Sequence, residues 1–321
     1  MFTMRFAMRS QSNDPADRSA TYRTTLEMCE WADTRSAIAM VSQHHGVDDG
    51  YLPSPLVLAA AIAARTTTLP ISVAALLIAL YEPVKLAEDL AVLDLLSGGR
   101  VSYVIGIGYR QEEFDRFGVD RRTRADLVEQ RIGQLRGLFA GETVDVDGRK
   151  VLLSPLPLNP GGPLLAYGGG TEAAARRAAR LGMYFFAETH DRSLKHCYLE
   201  EAERVGVAPV GCAFPRAGVP LTIFVADDPD KAWAELGEYL LLDAAGYGSW
   251  KTPATGTASG SFATTVQELR AEQGAYQILT PAEAAAIVTT GQPLGLQPLV
   301  GGIPADVAWP YLEAAAAVAG T

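Results

Sequence analysis

The chain has 321 residues, 48% of them hydrophobic and 20% charged, with a formal net charge of -10. That apolar fraction is enough for a sizeable core and excludes disordered, collagen-like and coiled-coil classes. The acidic balance, with a pI near 5.0, excludes a basic face for nucleic acid and attraction to an anionic membrane surface.

Taken in chain order, residues 3–8 predict a first strand, and 16–33 a helix that Pro15 is placed to start. Residues 36–42 form a second apolar run, 53–66 a helix, and 69–75 a third strand. Pro83 opens a helix striped by Leu86, Leu90 and Leu93, which Gly98 and Gly99 close. Residues 101–107 are strand-like, and Val128, Ile132, Leu135 and Phe139 stripe the next helix. Residues 143–153 read as a hairpin turning at Asp147-Gly148. A strand at 164–167 then runs through three glycines into a helix over 171–181. Strands are expected at 183–187, 221–226 and 296–300, interleaved with helices that begin near Arg192, Pro229, Pro281 and Pro304. Eight strands alternating with helices imply an α/β fold with a parallel sheet, and suit a closed (β/α)8 barrel. Residues 244–265, rich in Gly, Ser, Thr and Ala, read as a mobile late insertion in a single domain over 1–321.

The longest apolar stretch, 69–81, is 13 residues interrupted by Pro70 and Ser72, too short to span a bilayer. Residues 1–10 lack the apolar core of a signal peptide. Cys29, Cys197 and Cys212 are too few and scattered for a disulfide framework. The expectation is a soluble, cytoplasmic protein without nucleic-acid or membrane partners.

Of the four histidines, His44 and His45 directly follow the second strand, the rim where barrel active sites lie. An imidazole there can give or accept a proton near neutral pH; His190 and His196 read as surface residues. Neighbours in an extended segment point to opposite faces, and no other histidine lies at a strand end, so no metal site is expected. Gly106, Gly108, Tyr109 and Arg110 end the fourth strand, where the glycines either let a flat ligand approach or merely turn the chain. Gly168, Gly169, Gly170 and Thr171 form either a phosphate site at a helix start or a capped turn. Arg121, Arg122 and Arg124 are a basic island that is either a solvated face or a phosphate clamp.

The ordered run Gln43-His44-His45-Gly46, Pro53-Ser54-Pro55, Ala64-Arg65-Thr66, Pro83 to Glu88 and Leu93 to Arg100 resembles the bacterial luciferase-like monooxygenases. Glu112-Glu113-Phe114, Phe117 to Asp120, Gly141-Glu142, Gly168 to Thr171 and Pro298 to Pro304 continue the likeness over most of the chain. The resemblance implies a TIM barrel that binds reduced FMN or the deazaflavin F420. It places His44 beside the flavin ring, a non-proline cis peptide at Ala74-Ala75 beneath that ring, and the cofactor phosphate at Gly168 to Thr171 with Arg124. Three positions depart from the pattern. Gln43 stands where the family commonly has glutamate, so an acidic partner for the histidine is missing. Ile107 stands where bacterial luciferase has an arginine on the FMN phosphate, which leaves F420 open. No cysteine aligns with luciferase's reactive thiol.

The resulting expectation is a flavin-dependent monooxygenase acting with O2 on a small organic substrate, its reduced FMN supplied by a separate reductase. The alternatives are an F420-dependent dehydrogenase and a non-catalytic flavin-binding paralogue. Residues 55–64 carry no polar side chain, so either the late insertion or a second subunit should cover that helix. The family resemblance favours a homodimer through it.

Overall fold

The structure is a computed structural model that describes residues 1–251 and 257–320. Its first half runs β1 (Phe2–Phe6), α1 (Pro15–Ala32), β2 (Ala37–Val41), α2 (Pro55–Arg65), β3 (Ile71–Leu76), α3 (Pro83–Ser97) and β4 (Val101–Ile105). Two helices follow, α4 (Gln111–Phe117) and α5 (Arg124–Phe139), then a hairpin of β5 (Val144–Val146) and β6 (Arg149–Val151). The chain continues through β7 (Leu165–Gly169), α6 (Glu172–Arg180), β8 (Tyr184–Ala187), α7 (Ser193–Val205), β9 (Cys212–Ala213) and β10 (Thr222–Val225). It closes with α8 (Pro229–Gly248), α9 (Val266–Ala271), β11 (Tyr276–Leu279), α10 (Pro281–Thr289), β12 (Leu294–Leu296) and α11 (Ala305–Val318).

Local chemistry explains the boundaries. Proline occupies the first turn of α1, α2, α3, α8 and α10, where its missing N–H costs nothing. Asp14, Asp228 and Thr280 cap helices with side-chain oxygens, Thr280 in a reciprocal box with Glu283. Gly98 ends α3 at φ 65°, a left-handed conformation that suits glycine. The hairpin turns at Asp147 and Gly148, both at positive φ, as a two-residue loop requires.

Eight parallel strands form one curled sheet in the order β12-β1-β2-β3-β4-β7-β8-β9, and β10 pairs with β11 in a second parallel ladder. Thr222 of β10 is hydrogen-bonded to Gln297, just beyond β12, so the second ladder stands beside the first. Among the described residues the ladders do not join into the continuous closed ring expected from the sequence. On β1, Phe2, Met4 and Phe6 face outward, where Phe2 meets Trp31 of α1 with ring centroids 6.3 Å apart. Thr3 and Arg5 therefore face the hollow of the curl. On β8, Phe185 stacks on Tyr198 of α7, so Phe186 faces the hollow and stays 41% exposed. The buried apolar side chains form a single cluster reaching from Phe2 to Ala319.

The structure corrects three sequence expectations. The strand placed at 296–300 is β12 at Leu294–Leu296, followed by a single turn at Val300–Gly302 in which Gly301 abuts the backbone of Tyr239. The strands β9 and β11 were not expected; each has four residues or fewer, too short for a period to register. The supposed insertion at 244–265 begins inside α8, because Ala244 and Tyr247 are buried and burial outweighs the low helix propensity of the glycines. Residues 252–256 of that stretch lie outside the described residues, and Thr265 caps α9.

Candidate active site

The strap after β2 carries Gln43, His44 and His45. The backbone N–H of His44 donates to Leu52 O at 3.1 Å, which fixes the ring at the sheet's C-terminal rim. His44 is buried, and its Nδ1–H donates to Glu113 Oε1 at 2.8 Å. The same oxygen accepts the His45 backbone N–H at 2.8 Å and has Arg110 Nη1 3.6 Å away. The carboxylate thought missing at Gln43 thus arrives from α4, 69 residues further along the chain. Gln43 has other work: its Oε1 accepts the Leu77 N–H at 2.9 Å, and its amide donates to Tyr81 Oη at 3.0 Å.

Burial pushes the His44 imidazole below its ordinary value, while the bond to Glu113 pulls the other way. Burial is the largest single influence and would raise the Glu113 carboxyl, but the hydrogen bonds from His44 and the His45 N–H, together with the nearby positive charge of Arg110, outweigh it and hold that group low. The pair is therefore a neutral imidazole on an ionised carboxylate. The carboxylate takes Nδ1–H, which leaves Nε2 as a proton acceptor. Tyr109 Oη lies 3.3 Å from that Nε2, and burial keeps its phenol protonated. Around the ring stand Trp250 and Tyr51, centroids 4.7 and 4.8 Å away, with Tyr247 behind them at 6.3 Å. Arg110 lies 4.3 Å above the Trp250 ring.

Next to this group, the Ala74-Ala75 peptide is cis, as the resemblance implies. The β3–β4 register shifts between Ala74 and Leu76, and Gly106 N–H donates to Leu76 O at 3.0 Å. A side chain at Gly106 would place its Cβ 2.8 Å from that of Ala75, and one at Gly108, which has φ 74°, would strike the Phe114 ring at 2.9 Å. Both glycines are required by close packing. Ile107 is packed against the core.

At the β7–α6 turn the three glycines are equally constrained. A Cβ at Gly168, Gly169 or Gly170 would come within 2.8 Å of Val104, 2.6 Å of Ala174 or 2.7 Å of Thr189. Thr171 caps α6 by accepting the Ala174 N–H at 3.2 Å. The basic island divides. Arg122 is 89% exposed and paired with Asp120, and Arg121 donates to Gln111 at 2.7 Å. Arg124 donates to Arg121 O at 2.8 Å, and its buried Nε has no partner among the described residues. Burial and the charges of Arg121 and Arg177 hold its guanidinium below the ordinary value, with Tyr167 of β7, one residue before the glycines, opposing them. An arginine with an unpartnered buried Nε and a glycine turn at a helix start are each features that fit an anionic phosphate.

The structure thus gathers His44, Tyr109 and Arg110 into one cluster, with Arg110 committed to Glu113 and Trp250 rather than free for a phosphate. His45 lies apart: its Nε2 accepts from the Gln43 amide at 2.7 Å and its ring packs edge-on to Phe117. His190 and His196 are exposed. Among the described residues no group of three His, Cys, Asp or Glu side chains could hold a metal. Sequence reasoning gave no role to Glu113, Tyr51, Tyr247 or Trp250. The sequence signal for Glu113 is its place in Glu112-Glu113-Phe114, four residues after Tyr109.

The sequence pattern that defines the luciferase-like monooxygenases matches residues 4–290. An uncharacterized Mycobacterium tuberculosis protein is 29% identical over 201 residues, 59% of this chain and 69% of its own. The alkanal monooxygenase alpha chain of Photorhabdus luminescens is 27% identical over 174 residues, 51% of this chain and 48% of its own. The chain thus spans a third to about two thirds of the length of the curated relatives it matches, 33%, 48% and 69% among them. Among solved structures, monooxygenase RslO1 from Streptomyces bottropensis superposes with a TM-score of 0.74 at 22% identity, covering 99% of this chain and 98% of that one. The oxygenating constituent of Pseudomonas putida 3,6-diketocamphane monooxygenase, in complex with FMN, gives 0.69 at 17% identity, covering 99% and 96%. An F420-dependent secondary alcohol dehydrogenase gives 0.66 at 14% identity, covering 99% and 98%. At these identities the structural likeness concerns the fold.

Proposed function

The chain belongs to the luciferase-like monooxygenase family, and from that premise we propose that it is a flavin-dependent monooxygenase using reduced FMN and O2 on a small organic substrate. The observation that carries this reading is the buried His44–Glu113 pair, Nδ1 to Oε1 2.8 Å, beside the glycine-bounded Ala74-Ala75 step. Arg124 and the Gly168 to Thr171 turn would hold the cofactor phosphate. Ala74, Ala75 and Gly106 would lie along its ring system.

When bound, the reduced cofactor supplies electrons and, with O2, the oxygen that the substrate receives. The protein's own part is acid–base work and shielding. His44 Nε2 accepts or returns a proton at the mouth, and Glu113 keeps the ring oriented with its proton on Nδ1. Tyr51, Tyr247 and Trp250 pack around His44 and exclude water from its ring.

A second reading is an F420-dependent dehydrogenase that moves hydride without oxygen. Ile107 favours it, because an aliphatic side chain packed on the core offers no donor to an FMN phosphate. A non-catalytic cofactor store was suggested by Gln43, and Glu113 weighs against it by giving His44 a carboxylate. The sheet's two ladders would complete a (β/α)8 barrel around the ligand. Reduced flavin would come from a separate reductase, in keeping with a structural neighbour named as an oxygenating constituent. No helix among the described residues is long and apolar enough to cross a membrane.

The test is titration of the purified protein with FMN, FAD and F420, oxidised and reduced, followed by oxygen uptake with reduced FMN and candidate substrates. Binding of reduced FMN with substrate-dependent O2 consumption is expected. Exclusive F420 binding without O2 uptake selects the second reading, and no binding of any of the three overturns both.

A further inference from the structure

Arg9, just beyond the end of β1, is buried, and its guanidinium grips two elements at once. On one side Nε donates to Asp49 Oδ2 at 2.7 Å, further along the strap that carries His44. On the other, Nη1 donates to the Asp243 carbonyl at 3.1 Å and to Asp243 Oδ1 at 3.3 Å, on α8. The strap is itself tied to the segment after β1 by backbone bonds, Leu52 N–H to Ala7 O and Ser10 N–H to Asp49 O, both 2.9 Å. What the guanidinium adds is a tie from that segment to the last turns of α8.

Those turns carry part of the aromatic wall around His44. Arg9 Cζ lies 5.7, 5.3 and 5.2 Å from the ring centroids of Tyr51, Tyr247 and Trp250, the same three rings that stand around the imidazole. A guanidinium at that range is attracted to each ring. Gly246 makes the room for it. A Cβ at Gly246 would fall 1.5 Å from Arg9 Nη2 and 2.3 Å from Cζ. Gly246 lies inside α8, where glycine is a weak helix former and alanine the strongest. The seated guanidinium, not the backbone, calls for a glycine there.

We propose that Arg9 is a positioning residue that holds Tyr247 and Trp250 against His44, keeping the imidazole dry and its Nε2 ready to accept a proton. It acts through the rings that neighbour both side chains. The tie needs a fork: a planar guanidinium reaches two acceptors in fixed directions, and a lysine ammonium does not. Burial is the largest influence on the His44 imidazole and lowers it, Glu113 opposes this, and the charges of Arg110 and Arg9 add to the lowering. The other titratable groups facing the ring are Tyr109, His45, Tyr51 and Tyr247, with Lys251 Nζ 5.4 Å from the Tyr109 ring centroid. The proposal rests on the flavin reading for the chemistry that His44 serves.

Two substitutions release the grip while keeping every charge and every other group around His44. Gly246→Ala pushes the guanidinium from its seat, and Arg9→Lys keeps the cation without the fork. In the ligand-free protein the NMR titration midpoint of His44 should rise toward 6.5 in both, as water reaches the ring. With reduced FMN and substrate, kcat should fall by up to about 100-fold, the scale of a roughly 1 Å misplacement, with FMN affinity unchanged. Tyr276→Phe is the control. It removes a 2.8 Å hydrogen bond to the same Asp243 and leaves both Arg9 contacts, so it should lower the melting temperature without moving the His44 midpoint. An unmoved midpoint in folded Gly246→Ala overturns the proposal. So does a native midpoint in Arg9→Lys, since charge alone would then suffice, and so does an equal rise in Tyr276→Phe, which would mark general loosening. Should either Arg9→Lys or Gly246→Ala fail to fold, the other carries the same comparison. The expected midpoints in a protein that binds neither FMN nor F420 support the positioning role while sinking the flavin reading.

Discussion

His44 and Glu113 are 69 residues apart in the chain, yet their 2.8 Å contact sets the proton chemistry of the site. Burial lowers the imidazole, and the carboxylate limits how far it falls. Because the native value lies below the ordinary 6.5, the unfolded chain binds a proton below that pH which the folded chain refuses. The stability contributed by this group is therefore complete above pH 6.5 and is lost as the pH falls through it. Glu113→Gln keeps an acceptor for Nδ1–H but removes the charge. The NMR titration midpoint of His44 should drop further in that variant, and the acid loss of melting temperature should extend to lower pH. Turnover should fall by roughly 10-fold or more, as expected when a base is less well held and less basic. A native His44 midpoint at or above 6.5 would contradict the assignment.

At the scale of elements, the β7–α6 turn has a structural duty that is separable from its proposed binding duty. Thr171 caps α6 whatever the ligand, so Thr171→Ala should cost about 1 kcal/mol of stability with no cofactor present. Arg124 caps no helix: it makes one hydrogen bond, to Arg121 O, and its Nε has no partner among the described residues. Arg124→Ala should leave the melting temperature of the free protein nearly unchanged and weaken FMN more than riboflavin, which lacks the phosphate. Equal losses for the two ligands would remove Arg124 from the phosphate site. The glycines themselves are poor probes: a Cβ at Gly169 would press within 2.6 Å of Ala174, so loss of binding there could not be told from loss of the fold.

Across the whole molecule, α2 buries Leu58, Ala59, Ile62 and Ala63 and turns Val57 outward, 72% exposed. The neighbouring α3 exposes Val92, Leu95 and Leu96. Exposed apolar side chains on two packed helices suit an isologous contact with a second copy. Light scattering on a gel-filtration eluate should therefore give twice the 34.2 kDa chain mass, and Val57→Lys with Leu96→Lys should halve it. A monomer mass for the unaltered protein at micromolar concentration refutes the dimer.

The order of strands and helices from β1 to β8, α4 apart, the proline-led helix starts, the Thr171 cap and the hairpin at Asp147-Gly148 were legible in the sequence. Each depends on a local property: a period of burial, a proline, a capping oxygen or a turn glycine. His44 was legible as a rim residue for the same reason, since its place follows from where β2 ends. Glu113, Trp250 and Arg9 were not, because their roles arise from contacts between elements far apart in the chain. A carboxylate on α4 looks like any acidic residue in a first helical turn until the fold brings it under His44. The end of α8, Ala244 to Gly248, reads as a loop because it carries two glycines and leads into a Ser- and Thr-rich stretch, and the burial of Ala244 and Tyr247 makes it helix. Sequence periodicity specifies which face of an element is buried. Tertiary packing alone specifies which other element it is buried against, and the chemistry of this site lies in those pairings.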